Sequence, residues 1–305
     1  MNPHSSWRGW RCIPPLETCI CSSVCPSRQG ICFFTNRMPD TDQLDAQAID
    51  TALANTPFSG KLHHFRTIDS TNTHALEQAR NGARHGSYYV ADEQTAGRGR
   101  SDHTWHSNAG QGLYLSVLLR PDLATADLVW LPLLAGLAAH RAIQETTALT
   151  ADLRWPNDLL IGSRKTGGIL VEAQADSGRA TAAVIGIGIN LHQQRFPPGL
   201  ATEPTSLDLE TGRVGYGSAS RQQLLISLLQ ALHVELASLH SKPFLQSIPS
   251  RIAAISTWVQ GRRVEVHGPQ PCTGITGGLD PRGFLRVRTR SGIVTITTGG
   301  LRDAS

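Results

Sequence analysis

The sequence predicts an α+β protein, a mixed β-sheet carrying helices followed by a small closed β-barrel. Three observations lead there. Strand-like and helical stretches do not alternate regularly, which argues against a doubly wound parallel sheet. In mid-chain, "KTGGILVEAQADSGRATAAVIGIGINL" is two apolar runs broken at Ser177-Gly178, the signature of a β-hairpin. Beyond residue 260 the texture changes to five glycine-punctuated alternating stretches, among them "RRVEVHG", "CTGITGGL", "FLRVRTR" and "GIVTITT". That composition suits a small barrel.

The elements follow in order. "DTDQLDAQAIDTALA" (40–54) has helix-forming content with Asp at its start, and "KLHHFRTI" (61–68) reads as a strand. "DSTNTHALEQARNGARHG" opens on capping residues, places Ala75, Leu76 and Ala79 at helical spacing, and stops at Gly82 or Gly86. "SYYVADEQT" is a β-branched and aromatic strand, and "GLYLSVLLRP" (112–121) a more apolar one. Residues 125–147 form a long apolar helix, and "ADLRWP" is short and extended. After the hairpin comes a polar, Pro/Gly-rich loop (192–218) and then an amphipathic helix (220–240). A boundary near 258–261 divides the chain into an extension (1–37), a body (38–258) and a C-terminal domain (259–305).

Bulk properties exclude several functions. The formal net charge is +4. Arg8, Arg11, Arg28 and Arg37 against Glu17 put +3 of it in residues 1–37, leaving +1 for the other 268. That is not the footprint of a nucleic-acid-binding face. Five of the six cysteines lie in the same segment, so the body has no disulfide framework and a cytoplasmic location is expected. "CICSSVC" lacks the partners a zinc site needs. Residues 1–37 show no periodicity and are expected to be poorly ordered, an artefact of an upstream start codon with the protein proper beginning at Met38; an organelle transit peptide is the alternative. No apolar run approaches about 18 residues, so no membrane span is expected. Residues 1–60 offer at most one helix and no helix-turn-helix pattern. No GxxxxGK[ST] occurs, so the chain has no P-loop.

The chemistry centres on "EQTAGRGR" (93–100). A short Gly-Arg-Gly-Arg loop lets guanidinium groups and bare backbone N–H groups converge on one anion. The bland alternative is an exposed basic loop or an RNA-binding tail; a single copy, anchored between two strands in a nearly neutral body, argues against it. Other stretches add to the case. Ser70, Thr71 and Asn72 ("STN") cap a helix and offer hydroxyls to a small polar ligand. "RWPND" (154–158) ends in a turn at Asn157-Asp158. "KTGGILVE" puts Lys165 at the head of a buried strand, where a lysine is ordinarily a solvated edge residue. "GIGIN" (186–190) sets glycines on one face of a strand, clearing space against the sheet.

In this order and spacing, STN, EQTAGRGR, WPND, KTGGILVE and GIGIN resemble the biotin protein ligases. The motifs cover about residues 60–192, and the layout matches to the C-terminus, where that family ends in an SH3-like barrel. The resemblance implies a class II synthetase-like catalytic domain at 38–258. It implies a two-step reaction: ATP and biotin give biotinyl-5′-AMP, which a lysine of the biotin carboxyl carrier domain of acetyl-CoA carboxylase then attacks. It implies biotin contacts from Ser70, Thr71, Asn72, Gln94, Arg98, Gly99, Arg100, Lys165, Gly186 and Gly188. Arg98, Arg100, Trp105, Asn157 and Asn190 would meet the nucleotide; Lys165, Arg98 and Arg100 would be catalytic; Mg²⁺ would accompany the triphosphate, with Asp158 as a metal ligand.

The chain departs from the family in three places. Ser101-Asp102-His103-Thr104 replaces a basic run, Arg154 stands for the lysine of KWPND, and Gly299-Gly300 lacks a following acid. A lipoate–protein ligase is the nearest rival, but its RRxSGGGxVxH-type run is absent. A nucleic-acid binder using the GRGR loop is the rival from another class. The reading is of a ligase acting without nucleic acid or membrane, as monomer or homodimer.

Overall fold

The computed structural model describes residues 42–101, 103–212, 220–237 and 239–304. The extension 1–37, Met38 and Asp102 lie outside the described residues. Residues 37–305 cluster as one compact unit.

Helix α1 (Ala46–Ala52) starts at Asp45, whose carboxylate accepts from the amides of Gln47 and Ala48. Strand β1 (Leu62–Ile68) leads through α2 (Thr71–Arg80) to β2 (Tyr88–Gln94), and the two strands run parallel. Strands β3 (Gly112–Leu119) and β4 (Leu123–Ala124) precede a 3₁₀ turn at Thr125–Val129, which passes into α3 (Trp130–Thr147). Then come β5 (Asp152–Arg154), β6 (Asp158–Ile161), β7 (Arg164–Asp176) and β8 (Arg179–Asn190). The sheet order is β1-β2-β3-β8-β7-β6-β5, with β4 on β8, and all pairs but the first are antiparallel. The expected hairpin is β7–β8, turning at Ser177-Gly178.

Both faces of this sheet are covered, so β3 is buried at every residue. Successive residues point to opposite faces. Leu113, Leu115, Val117 and Leu119 join Ile185, Ile187 and Ile189 in the large core under α3. Leu118, Ala182 and Val184 pack with Ala75, Ala79 and Tyr89 under α2. Leu131, Leu134 and Ile143 of α3 are fully buried, and each such side chain contributes about 1.5–3 kcal/mol. The stretch Thr125–Thr147 is, contrary to the sequence expectation, long and apolar enough to cross a membrane, but 61% of its apolar window is buried inside this core.

Three further helices follow: α4 (Leu207–Thr211), α5 (Arg221–Ala237) and α6 (Lys242–Ile255). Helix α4 sits in what the sequence presents as loop, and α6 is also unexpected; Pro243 near its start and Pro249 inside it mask a helical pattern. Strands β9 (Gln260–His267), β10 (Cys272–Leu279), β11 (Leu285–Thr289), β12 (Gly292–Ile296) and β13 (Gly300–Asp303) form a second, wholly antiparallel sheet of order β12-β11-β10-β9-β13. Its inward residues Val264, Val266, Leu285, Val287 and Leu301 belong to the same hydrophobic cluster as α3.

Candidate active site

The face of the main sheet that carries α2 also carries a cavity of about 840 Å³. Register builds its floor. One cross-strand row is Ser116, Gly186 and Leu170; the next is Tyr114, Gly188 and Gly168. All six residues line the cavity. So do all fourteen residues singled out in the sequence: Ser70, Thr71, Asn72, Gln94, Arg98, Gly99, Arg100, Trp105, Asn157, Asp158, Lys165, Gly186, Gly188 and Asn190.

A chain of hydrogen bonds fixes the polar end. Ser70 caps α2 by accepting from the Thr73 amide. The Thr71 amide and hydroxyl both donate to Gln94 Oε1, at 2.8 and 3.0 Å. Gln94 Nε2 donates in turn to Ser107 Oγ at 2.8 Å. Ser116 Oγ lies 2.8 Å from Thr71 Oγ1 and 2.7 Å from Asn72 Oδ1. Thr71, Asn72 and Ser116 are all buried, so this network is rigid as well as polar.

The glycines of GIGIN do clear space, but for the protein's own side chains. A Cβ on Gly186 would stand 2.3 Å from Asn72 Oδ1, and one on Gly188 would stand 2.5 Å from Trp105 Nε1. The Trp105 indole therefore lies across the glycine track. Its N–H is buried and has no acceptor among the described residues. Such an orphan donor is costly unless something else fills the cavity.

The cations come from the loop after β2 and from strands β5 and β7. Arg98 forms an ion pair with Glu172, Nη2 to Oε1, at 2.9 Å. Arg100 donates to Asn157 Oδ1 at 2.8 Å and to the Gly299 carbonyl at 3.1 Å, so the connection between β12 and β13 anchors the loop. Burial lowers the Arg100 pKa, against the opposing pull of Asp158. Lys165 Nζ stands 2.6 Å from Asp158 Oδ1 and 5.6 Å from the centre of the Trp105 ring, inside the cavity rather than at a solvated edge. Arg154 holds Asp158 Oδ2 at 2.7 Å. Burial alone would raise the Asp158 carboxyl, but Lys165 and Arg154 hold it below the usual carboxylate range.

Asp158, expected as a metal ligand, has each oxygen on a cation in the free protein, Oδ1 on Lys165 and Oδ2 on Arg154. Among the described residues no group of three His, Cys, Asp or Glu side chains could hold an ion. Asp158 also opens β6, paired with Arg154, where a turn was expected. Asn157 and Asn190 spend their amide donors on the backbone carbonyls of Ile169 and Thr205.

Ser107, Ser116 and Glu172 escaped the sequence reading. Ser116 carried a signal, as the one serine in an otherwise aliphatic and aromatic strand. Glu172 ends KTGGILVE, a motif from which the sequence singles out only Lys165.

Residues 64–190 match the biotin/lipoate A/B protein ligase family. The chain is 32% identical over 238 residues to the biotin–[acetyl-CoA-carboxylase] ligase of Mycobacterium tuberculosis, covering 75% of this chain and 84% of the relative. The chain belongs to the biotin protein ligase family. A second member, the Paracoccus denitrificans biotin–[acetyl-CoA-carboxylase] ligase, is 30% identical over 230 residues, covering 73% and 92%. The bifunctional ligase/repressor BirA of Bacillus subtilis is 45% identical over 153 residues, covering 50% and 47%. The chain thus spans about half the length of that relative. Among solved structures, the biotin protein ligase of Aquifex aeolicus in complex with biotin and ATP superposes with a TM-score of 0.68 at 30% identity, covering 80% of this chain and 100% of that one. The fold is that of biotin protein ligases.

Proposed function

We propose that this chain activates biotin with ATP as biotinyl-5′-AMP and transfers the biotinyl group to a lysine of a biotin carboxyl carrier domain, that of acetyl-CoA carboxylase in the first place. The observation that carries this is the meeting, in one cavity, of a rigid neutral hydrogen-bonding end and a cluster of Arg98, Arg100, Arg154 and Lys165. The ureido ring of biotin suits the first; its carboxylate and the phosphates suit the second.

In the first step a biotin carboxylate oxygen attacks the α-phosphorus and pyrophosphate leaves. Two anions about 4 Å apart repel by about 4 kcal/mol at an effective dielectric of 20. Fixed cations offset that and stabilise the charge building at phosphorus. Lys165 is the cation we assign to this point, with Arg98 and Arg100 closing over it. The arriving anions take over Lys165, which Asp158 holds in the free protein. Trp105 walls the nucleotide, and its orphan N–H gains an acceptor from the ligand. In the second step a neutral carrier lysine attacks the acyl carbon, and AMP departs with the electron pair of the broken C–O bond.

Mg²⁺ would come with the triphosphate and neutralise part of its charge. We assign it no ligand in this chain. We place the reaction in the cytoplasm, without nucleic acid, on a monomer or homodimer.

The test is direct. Purified protein with biotin and ATP should release pyrophosphate, and should label an added carrier domain. Release with lipoate but not with biotin would overturn the reading in favour of the sister activity.

A further inference from the structure

Glu172 is an acid for which the reaction above has no chemical use. It follows the cavity rows on β7, where its register partner is Val184, one row beyond Gly186. Its Oε2 accepts from Asn72 Nδ2 at 2.9 Å and from Arg98 Nη1 at 3.1 Å, while Oε1 faces Arg98 Nη2 at 2.9 Å. One carboxylate therefore ties the start of α2 to the arginine loop.

The two partners differ in freedom. Asn72 is 4% exposed, wedged over Gly186, with Ser116 on its Oδ1. It cannot swing away without stranding buried polar atoms. The Arg98 side chain is 44% exposed, in a loop whose backbone is tied on either side of it, Thr95 to Ile68 and Ala96 to Asp69 before, Gly99 to His103, His103 to Arg100 and Trp105 to Gly97 after, while the guanidinium itself is held by Glu172. Order thus passes from the fixed end to the loose one. Two parallel N–H···O contacts also set the plane of the guanidinium, which a single contact would not.

We propose that Glu172 is a positioning residue that latches Arg98 over the cavity before any ligand arrives, linking the ureido-binding end of the site to the loop that meets the carboxylate and phosphate. This rests on the ligase reading above. Preorganisation of this kind appears in binding, because a loop already in place need not be ordered by the substrate.

Glu172→Gln is the test. Glutamine keeps the size and one acceptor oxygen but loses the charge. In ligand-free protein, the amides of Gly99, His103 and Trp105 should exchange about three- to tenfold faster in the variant, the scale of one lost charge-assisted contact at a half-exposed site. The KM for biotin in pyrophosphate release should rise by about the same factor with kcat within about twofold, and saturating biotin should close the exchange gap. Equal exchange in the two free proteins overturns the latch. A lower KM overturns it too, since Glu172 would then compete with the substrate anion. A rise spread evenly over β7 and β8 marks a merely structural role and also overturns it. If the wild type releases no pyrophosphate with biotin, the ligase reading falls; the ligand-free exchange comparison still judges the latch.

Discussion

Lys165 and Asp158 stand 2.6 Å apart at the floor of the cavity, and the same carboxylate holds Arg154 on its other oxygen. The free protein thus keeps two of its cations neutralised by a single internal acid. Substrate anions must compete with that acid, and the exchange determines what mutation of either partner should do.

Lys165→Ala should cripple adenylation more than transfer. Loss of one group that stabilises charge at the reacting phosphorus costs about 10²–10³-fold, by analogy with loss of an oxyanion donor. In the second step no two anions are brought together, so transfer from synthetic biotinyl-5′-AMP should remain appreciable. Single-turnover rates for both steps measure the split. Equal losses would mean that Lys165 positions the acyl-phosphate throughout.

Asp158→Asn should cost stability, and the cost should depend on pH. Lys165 and Arg154 depress the folded-state pKa of Asp158 against the opposing effect of burial. A depressed carboxylate stabilises the fold above its unfolded value, about 3.8, and that contribution is lost as pH falls through the lower folded value. Near pH 7 the variant should lose about 1–3 kcal/mol. As pH drops below about 4 the wild type should decline more steeply and the two should converge. Urea melts from pH 2.5 to 7 decide it; parallel curves would contradict the assigned pair.

Gly188→Ala should displace Trp105. The new methyl would come within 2.6 Å of the indole Nε1 and Cε2. Overpacking of this order costs about 1–3 kcal/mol or moves the ring. We expect a shifted Trp emission together with a KM for ATP raised about tenfold or more, if the ring walls the nucleotide. An unchanged KM with shifted emission would remove Trp105 from the nucleotide site.

A chain beginning at Met38 should adenylate biotin as fast as the full chain. Every described residue lining the cavity lies at Ser70 or beyond. A large fall in kcat/KM on trimming would give the first 37 residues a role in the site.

Much of this site was legible because its parts are short motifs whose residue types suit anion capture. Ser70, Gln94, Arg98 and Lys165 were visible one at a time; that they share a cavity follows from sheet register, which one sequence does not display. The purpose of the glycines was half visible. Their spacing announced close approach, but that Asn72 and Trp105 are what approaches depends on contacts 114 and 83 positions away in the chain (186 minus 72, 188 minus 105). Helix α6 was hidden by two prolines, α4 by its brevity inside a Gly/Pro-rich stretch, and β6 by a Pro-Asn start that reads as a turn. Arg100 was foreseen as an anion ligand, but its bond to the Gly299 carbonyl was not, since backbone acceptors leave no trace in side-chain identity.

That last bond has a consequence for how this protein can be cut and recombined. The C-terminal segment supplies both a wall of the apolar interior and, from the β12–β13 connection, a carbonyl to a site arginine. Cleavage between 258 and 259 would not separate a working head from a dispensable tail. It would leave a fragment with an exposed greasy flank and a guanidinium held by Asn157 alone of its hydrogen-bond partners. Exchange of C-terminal segments between family members therefore has to match two seams at once, one of oil and one of hydrogen bonds.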